Sequence, residues 1–197
     1  MVRTLSRTAA GLLLLICIAG IIHGSVAASS HAIYKAVRYR PENEVTRAPL
    51  ENSNRAEKSY SLYPYNYYFC IWTAENCWYN RHDDDGGEIE TRVLAAERWC
   101  DRGLELNSRK SQLRLLKARL MARRDARKAA EYWREYVDWD FWDSFNHAAL
   151  AELYAAAGDI ESAMNQLKWL TKPSDLEYAR NEINAAWKRE MSGNPGK

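Results

Sequence analysis

The sequence predicts an all-α protein in which an apolar N-terminal helix precedes a solenoid of about three helix pairs with capping helices. Residues 9–28 carry no charged side chain. Beyond residue 50, apolar residues recur at spacings of three and four, and no alternating run bounded by turn residues indicates a strand. The chain also matches itself when it is shifted by 34 residues, which is typical of stacked helix pairs.

The composition excludes several classes of protein. The 197 residues are 47% hydrophobic and carry a net charge of +2, so the chain is neither disordered nor strongly basic. A nucleic-acid-binding domain of this size is normally much more basic, and we therefore expect no nucleic-acid partner. The 8 Trp and 12 Tyr residues are abundant, and such side chains are enriched where proteins bind one another.

Residues 1–30 are predicted to form a signal-anchor or a signal peptide. Arg3 and Arg7 precede the uncharged stretch 9–28, whose roughly 20 residues at ~1.5 Å each match a bilayer core of ~30 Å. The strongly apolar part, Ala9 to Ile22, is also short enough for a signal peptide, and small residues near Ala28 offer a cleavage site. Two alternatives follow: a single-pass membrane protein with its C-terminal domain exported to the periplasm or the extracellular space, or a secreted protein.

The remaining chain divides into a linker, a helical domain and a tail. Residues 31–49 contain Pro41, Asn43 and Pro49 among charged residues, which predicts a linker or stalk. Residues 50–191 form the predicted helical domain, and residues 192–197 form a tail. Apolar spacing and breaks at proline, glycine and asparagine predict helices over 50–62, 66–80, 88–106, 109–123, 126–137, 144–157, 160–171 and 175–191.

The 34-residue repeat has the features of a known family. It aligns Leu116 with Leu150 and Asp125 with Asp159. The segment from His147 through Leu150, Ala151, Tyr154, Gly158, Ala163 and Leu167 resembles the tetratricopeptide repeat. That resemblance implies two-helix repeats over 66–106, 109–137 and 144–171, with an insertion in the first repeat and with 50–62 as an unpaired capping helix.

The resemblance also implies a function, because repeats of this family hold a peptide or protein in a groove lined by the first helix of each pair. The groove residues that it implies are Tyr68, Ile71, Trp72, Glu75, Trp78, Arg114, Ala118, Met121, Phe145, Ala148 and Glu152. The predicted function is therefore that of a membrane-anchored, exported scaffold that mediates protein–protein interaction at the membrane surface, with a partner whose identity the sequence does not give.

Three further patterns leave alternatives open. The basic residues Lys110, Arg114, Lys117 and Arg124 share one side of a helix, as either a solvated face or a site for anionic lipid or glycan. The second reading makes the protein a glycan- or lipid-binding accessory protein of the cell envelope. The acidic, aromatic turn at 138–143 either packs its rings inward or docks a partner. The loop at 82–87 is either solvated or binds a hard cation.

The sequence shows no pattern typical of an enzyme. We find no nucleophile-and-base motif, phosphate-binding loop or zinc spacing, and we expect no catalytic residue, cofactor or metal site. Cys70 and Cys77 lie two helical turns apart, too far to bridge each other. Either of them could form a disulfide with Cys100 in an oxidising compartment, or all three could be buried thiols.

Overall fold

A computed structural model describes residues 2–39, 49–79 and 86–192, and it is entirely helical over these ranges. The helices are α1 (Val2–Arg38), α2 (Pro49–Leu62), α3 (Tyr67–Tyr79), α4 (Gly86–Leu106), α5 (Ser111–Ala122), α6 (Ala126–Trp139), α7 (Ser144–Ala156), α8 (Ile160–Gln166) and α9 (Pro173–Met191). A 3₁₀ turn at Leu167–Trp169 follows α8. The all-α prediction is confirmed, and α2 to α7 begin and end within two residues of their predicted bounds.

The helix α1 is the main departure from the predicted organisation. Residues 31–38, expected as the beginning of a linker, continue α1 without a break. Residues 40–48 of that linker, the insertion at 80–85 and the tail at 193–197 lie outside the described residues. Among the described helices, α1 alone is long and apolar enough to cross a membrane, a property that signal sequences share.

The chain separates into two compact units, Met1–Trp99 and Cys100–Lys197. In the first unit α1 and α2 run antiparallel, because Ser30 meets Ser59 whereas the earlier His23 meets the later Tyr63. Each serine hydroxyl donates to the backbone carbonyl of the other at 2.7 Å, and both side chains are fully buried. The helix at 49–62, expected to be an unpaired cap, therefore has the C-terminal part of α1 as its partner.

Large aromatic side chains form the core of the first unit. The Tyr34 ring stacks on Phe69 of α3 with a centroid distance of 4.1 Å. The Trp99 indole of α4 is fully buried, and it donates to the Ser53 hydroxyl of α2 at 2.8 Å. These contacts make α1 and α4 parts of the same packed body as α2 and α3.

The second unit is a stack in which successive helices contact one another, α5 with α6, α6 with α7, and α7 with both α8 and α9. Asp125 and Asp159, 34 residues apart, cap the N-termini of α6 and α8 by accepting from Lys128 and Ser162 backbone amides. Side chains 34 residues apart are also buried to a similar extent, as Leu116 and Leu150 are, and Ala129 and Ala163.

Candidate interaction surfaces

The structure places the groove residues expected on α3 at different depths. Ile71 and Trp78 are buried, at 7% and 8% exposure, so neither side chain has the surface that a partner would contact. Trp72 lies edge-on to Tyr34, and Glu75 is half-buried. Only Tyr68, at 56%, is well exposed. Ile71 and Trp78 are core residues because α3 packs among other helices of the first unit, as the stacking of Phe69 on Tyr34 of α1 shows.

The groove residues expected in the second unit divide in the same way. Ala118 and Ala148 are fully buried, where their small side chains allow neighbouring helices to approach closely. Arg114 and Met121 are half-buried. Phe145 is 40% exposed, which makes it the most accessible residue of this part of the predicted set.

Glu152, the last predicted groove residue, belongs to a polar network that joins three helices. Its carboxylate accepts from the Arg119 guanidinium of α5 at 2.7 Å and from the Tyr178 hydroxyl of α9 at 2.6 Å. Burial, together with the hydrogen bond to Glu152, raises the pKa of Tyr178, so this phenol remains a donor. The sequence gives no local signal for the network, because its members lie on separate helices.

The basic side of α5 makes contacts within its own unit. The Arg109 guanidinium lies 4.5 Å from the centre of the Trp139 ring, and the Arg114 guanidinium lies 5.5 Å from that of Tyr132. Lys117 pairs with Asp101. Partial burial favours a lower pKa for Lys117, but the hydrogen bond and charge of Asp101 outweigh it and raise the pKa. These contacts occupy much of the predicted basic face.

The turn between α6 and α7 presents an exposed aromatic cluster, which we call the tryptophan patch: Phe141, Trp142 and Trp169. The Phe141 ring is edge-on to Trp142 at 5.3 Å and to Trp169 at 4.7 Å. Trp142 is 89% exposed and Trp169 is 42% exposed. The Phe141 ring follows the inward alternative for this turn, whereas Trp142 is exposed, and the docking alternative stays a prediction.

A buried histidine holds the tryptophan patch in place. The imidazole of His147 lies 4.8 Å from Phe141, ring centre to ring centre, and stacks on Trp169 at 5.9 Å. Its Nε2 donates to the Phe141 backbone carbonyl at 2.8 Å, and its Nδ1 lies 2.9 Å from Oε1 of Gln166. Because the turn and α8 are both bonded to this ring, the positions of Phe141 and Trp169 are fixed within the fold.

A further exposed tryptophan lies on the last helix. Trp187, at 55% exposure, borders an open surface cavity of about 570 Å³ together with Asn184, Lys188, Met191 and Ser192. No other aromatic ring borders this cavity among the described residues, which distinguishes it from the tryptophan patch.

The cysteines and acidic residues show no further site within the described ranges. Cys70, Cys77 and Cys100 are buried thiols in the structure, as one of the two alternatives for them predicts, and the disulfide alternative stays a prediction. No group of three or more His, Cys, Asp or Glu side chains in the described ranges is arranged to hold a metal ion. Residues 82–85 of the candidate cation loop lie outside those ranges.

Comparison of the chain with family models, curated proteins and solved structures finds no match.

Proposed function

We propose that this chain is a membrane-anchored scaffold whose helical domain is exported and holds a protein partner at the membrane surface. The anchor is α1, which stays attached to the domain rather than being cleaved. The helical domain is similar to a tetratricopeptide-repeat solenoid, and the tryptophan patch is its contact site. The partner presents an aliphatic or aromatic side chain that packs on Trp142.

The exposure of α1 supports the anchor. From Thr8 to Ser25 the helix is exposed on all sides, and its leucine and isoleucine side chains have no protein to cover them. Farther along, Ser30, Tyr34 and Val37 are buried against the domain. One continuous helix that is exposed over 8–25 and packed into the core over 30–37 would hold the domain close to a bilayer.

The 34-residue period supports the repeat fold of the second unit. The matched caps at Asp125 and Asp159 and the matched small residues Ala129 and Ala163 give α6 and α8 equivalent positions. Stacked repeats of this kind present extended surfaces that commonly bind peptides or proteins.

The 89% exposure of Trp142 on a fixed aromatic cluster is the observation that carries the binding proposal. Exposing a tryptophan to water is unfavourable, and tryptophan is the residue type most enriched at the energetic centre of interfaces. Because His147 and Trp169 already fix Phe141, little conformational entropy is lost when a partner covers the patch.

The test compares two tryptophan variants of the whole chain in its native membranes. Trp142→Ala should weaken recovery of a specific bound protein by about 30-fold, since a hot-spot truncation costs ~2 kcal/mol or more. Trp187→Ala removes an exposed tryptophan elsewhere in the same unit and serves as the matched control. It should leave recovery unchanged.

Equal recovery with Trp142→Ala and with the unchanged chain would contradict the proposal. The glycan- or lipid-binding alternative predicts a different pattern. Binding to purified envelope polysaccharide or anionic vesicles would fall with Lys110→Glu and with added salt. The contacts of Arg114 and Lys117 within their own unit make that pattern the less expected one.

A further inference from the structure

We infer that the end of α2 and the turn after it rest on the bilayer surface and set the depth of the anchor. Three residues, Leu62, Tyr63 and Tyr65, form this contact, and we call them the collar. The collar lies at the level of His23, so the hydrocarbon core on the domain side ends near residue 23 rather than near residue 28. This inference rests on the proposed anchor.

The ring contacts place the collar along α1. The Tyr63 ring lies edge-on to the His23 ring at 5.2 Å, and the Tyr65 ring lies edge-on to that of Tyr63 at 5.3 Å. Because α2 runs antiparallel to α1, its C-terminal end points back toward the apolar part of α1. The turn at 63–66 is therefore the part of α2 and its continuation nearest to the bare helix.

The exposure of α1 changes at the same level. The large apolar residues from Leu12 to Ile22 are 45–69% exposed. Val26 and Ala27 are half-buried, and Ser30 is fully buried on α2. Lipid can therefore surround α1 only as far as the collar, since protein covers one side of the helix beyond that point.

The length of the bare helix agrees with this boundary. The 20 steps along the helix from Arg3 to His23 rise ~30 Å at ~1.5 Å each, which matches the hydrocarbon core of a bilayer. Arg3 and Arg7 lie at one end of this span, where arginine side chains typically reach the headgroup region. A core that ended at residue 28 would instead bring the collar several ångströms inside the hydrocarbon. His23 and the two tyrosines would then need partners for their polar atoms where water is absent.

The chemistry of the collar suits the lipid headgroup region better than water or a protein partner. Tyr65 is 66% exposed and Leu62 is 44% exposed, and both are close to Tyr63, whose ring contacts His23 of α1. No charged residue occurs between Lys58 and Glu75. Tyrosine is enriched at membrane interfaces, because its ring enters the apolar layer while its hydroxyl stays hydrated. The collar is also continuous with the bare apolar surface of α1.

The test measures depth with a fluorophore attached to single cysteines in a Cys17→Ala background. The fluorophore is nitrobenzoxadiazole, and the whole chain is inserted into vesicles of phosphatidylcholine and phosphatidylglycerol. Tyr65→Cys reports on the collar. Glu51→Cys, at the opposite end of α2, is the matched control, and Leu14→Cys reports insertion of α1. The three native domain cysteines are buried and stay unlabelled in the folded chain.

We expect a lipid that carries a nitroxide near its headgroup to quench the label at position 65 and to leave the label at 51 unchanged. A second lipid, whose nitroxide lies deep in the acyl chain, should quench the label at 14, because that position lies near the middle of the proposed span. The label at 65 should also emit at shorter wavelength than the label at 51. Quenching at 14 with equal, water-like signals at 65 and 51 would overturn the inference and leave the anchor standing.

Two further outcomes are also decisive. A label at 65 that is shielded from water but not quenched by lipid would assign the collar to a protein contact and overturn the inference. No quenching at 14 would show that α1 does not insert, and both the anchor and the collar would fail.

Discussion

Single polar residues join helices of the second unit in addition to the apolar core between them. Arg119, Glu152 and Tyr178 come from three helices, and each finds its hydrogen-bonding partner only in the stacked state. A buried carboxylate that loses a donor is costly, because it retains the desolvation without the compensating bond. The network therefore favours one register of α5, α7 and α9 over others.

Tyr178→Phe should destabilise the second unit by about 1.5 kcal/mol, the size expected when a charged acceptor loses a hydroxyl donor. Because the folded-state pKa of Tyr178 is raised, its contribution is complete below the unfolded pKa of about 10 and is lost as the pH rises above it. Denaturant titrations of the whole chain in detergent, from neutral to alkaline pH, measure both effects.

The control for that experiment is Tyr39→Phe, at a 71% exposed position, which should match the unchanged chain in stability. If Tyr178→Phe and the unchanged chain have the same unfolding free energy at every pH, the Tyr178 hydroxyl does not contribute to the stability of the second unit.

Burial also determines the reactivity of Cys77. Desolvation raises the pKa of this thiol from 9.0 to about 11, which lowers its thiolate fraction about 100-fold near neutral pH. Iodoacetamide should therefore leave Cys77 unmodified in the folded chain and modify it in denaturant, as read by peptide mass spectrometry. Rapid modification of the folded chain would contradict the structure.

The same preparation tests the expected disulfide. If Cys100 is joined to Cys70 or Cys77, the bridged pair stays unmodified in denaturant until a reductant is added. If all three are thiols, as in the structure, they are modified in denaturant without a reductant.

Among the elements, α1 has two roles in one helix. Its stretch 9–22 is apolar over the whole circumference of the helix, whereas its last part has a single buried face formed by Ser30, Tyr34 and Val37. Serine at the crossing lets α1 and α2 approach closely, and each hydroxyl donates to the backbone carbonyl of the other serine. The domain and the apolar segment are thus connected by helix and not by a flexible chain.

Ser30→Leu should separate α1 from α2, because a large side chain has no room at this fully buried crossing. We expect faster backbone hydrogen exchange over 26–38 and faster tryptic cleavage at Lys35. The matched control is Ser29→Leu, one residue earlier on the exposed side, which should leave both rates unchanged. Equal rates in the two variants would exclude the observed packing of α1 on α2.

For the molecule as a whole, the decisive property is whether α1 remains attached. The proposed anchor predicts that the intact mass of the membrane-extracted protein includes residues 1–30, apart from any loss of the initiator Met1. Mass spectrometry and N-terminal analysis of membrane and soluble exported fractions measure this directly. A soluble species that begins near Ala28 or Ser29 would instead show a cleaved signal peptide and a secreted binding protein.

The sequence by itself determined the helical class, the punctuation of α2 to α7 and the apolar character of α1. These follow from local physics: residues three and four apart share a helix face, and glycine, proline and capping aspartates end or begin helices within a few residues. The 34-residue period likewise aligned Leu116 with Leu150, and both side chains are buried.

Only the tertiary structure decided which surface each side chain reaches. Isoleucine and tryptophan, at positions 71 and 78, suit a protein core as well as a binding groove. The packing of other helices on α3 makes both of them core residues here. The burial of Tyr34 and the network around Glu152 depend on partners that are distant in sequence. Exposure of Trp142 but not of Phe141 follows from the position of His147, which local periodicity does not contain.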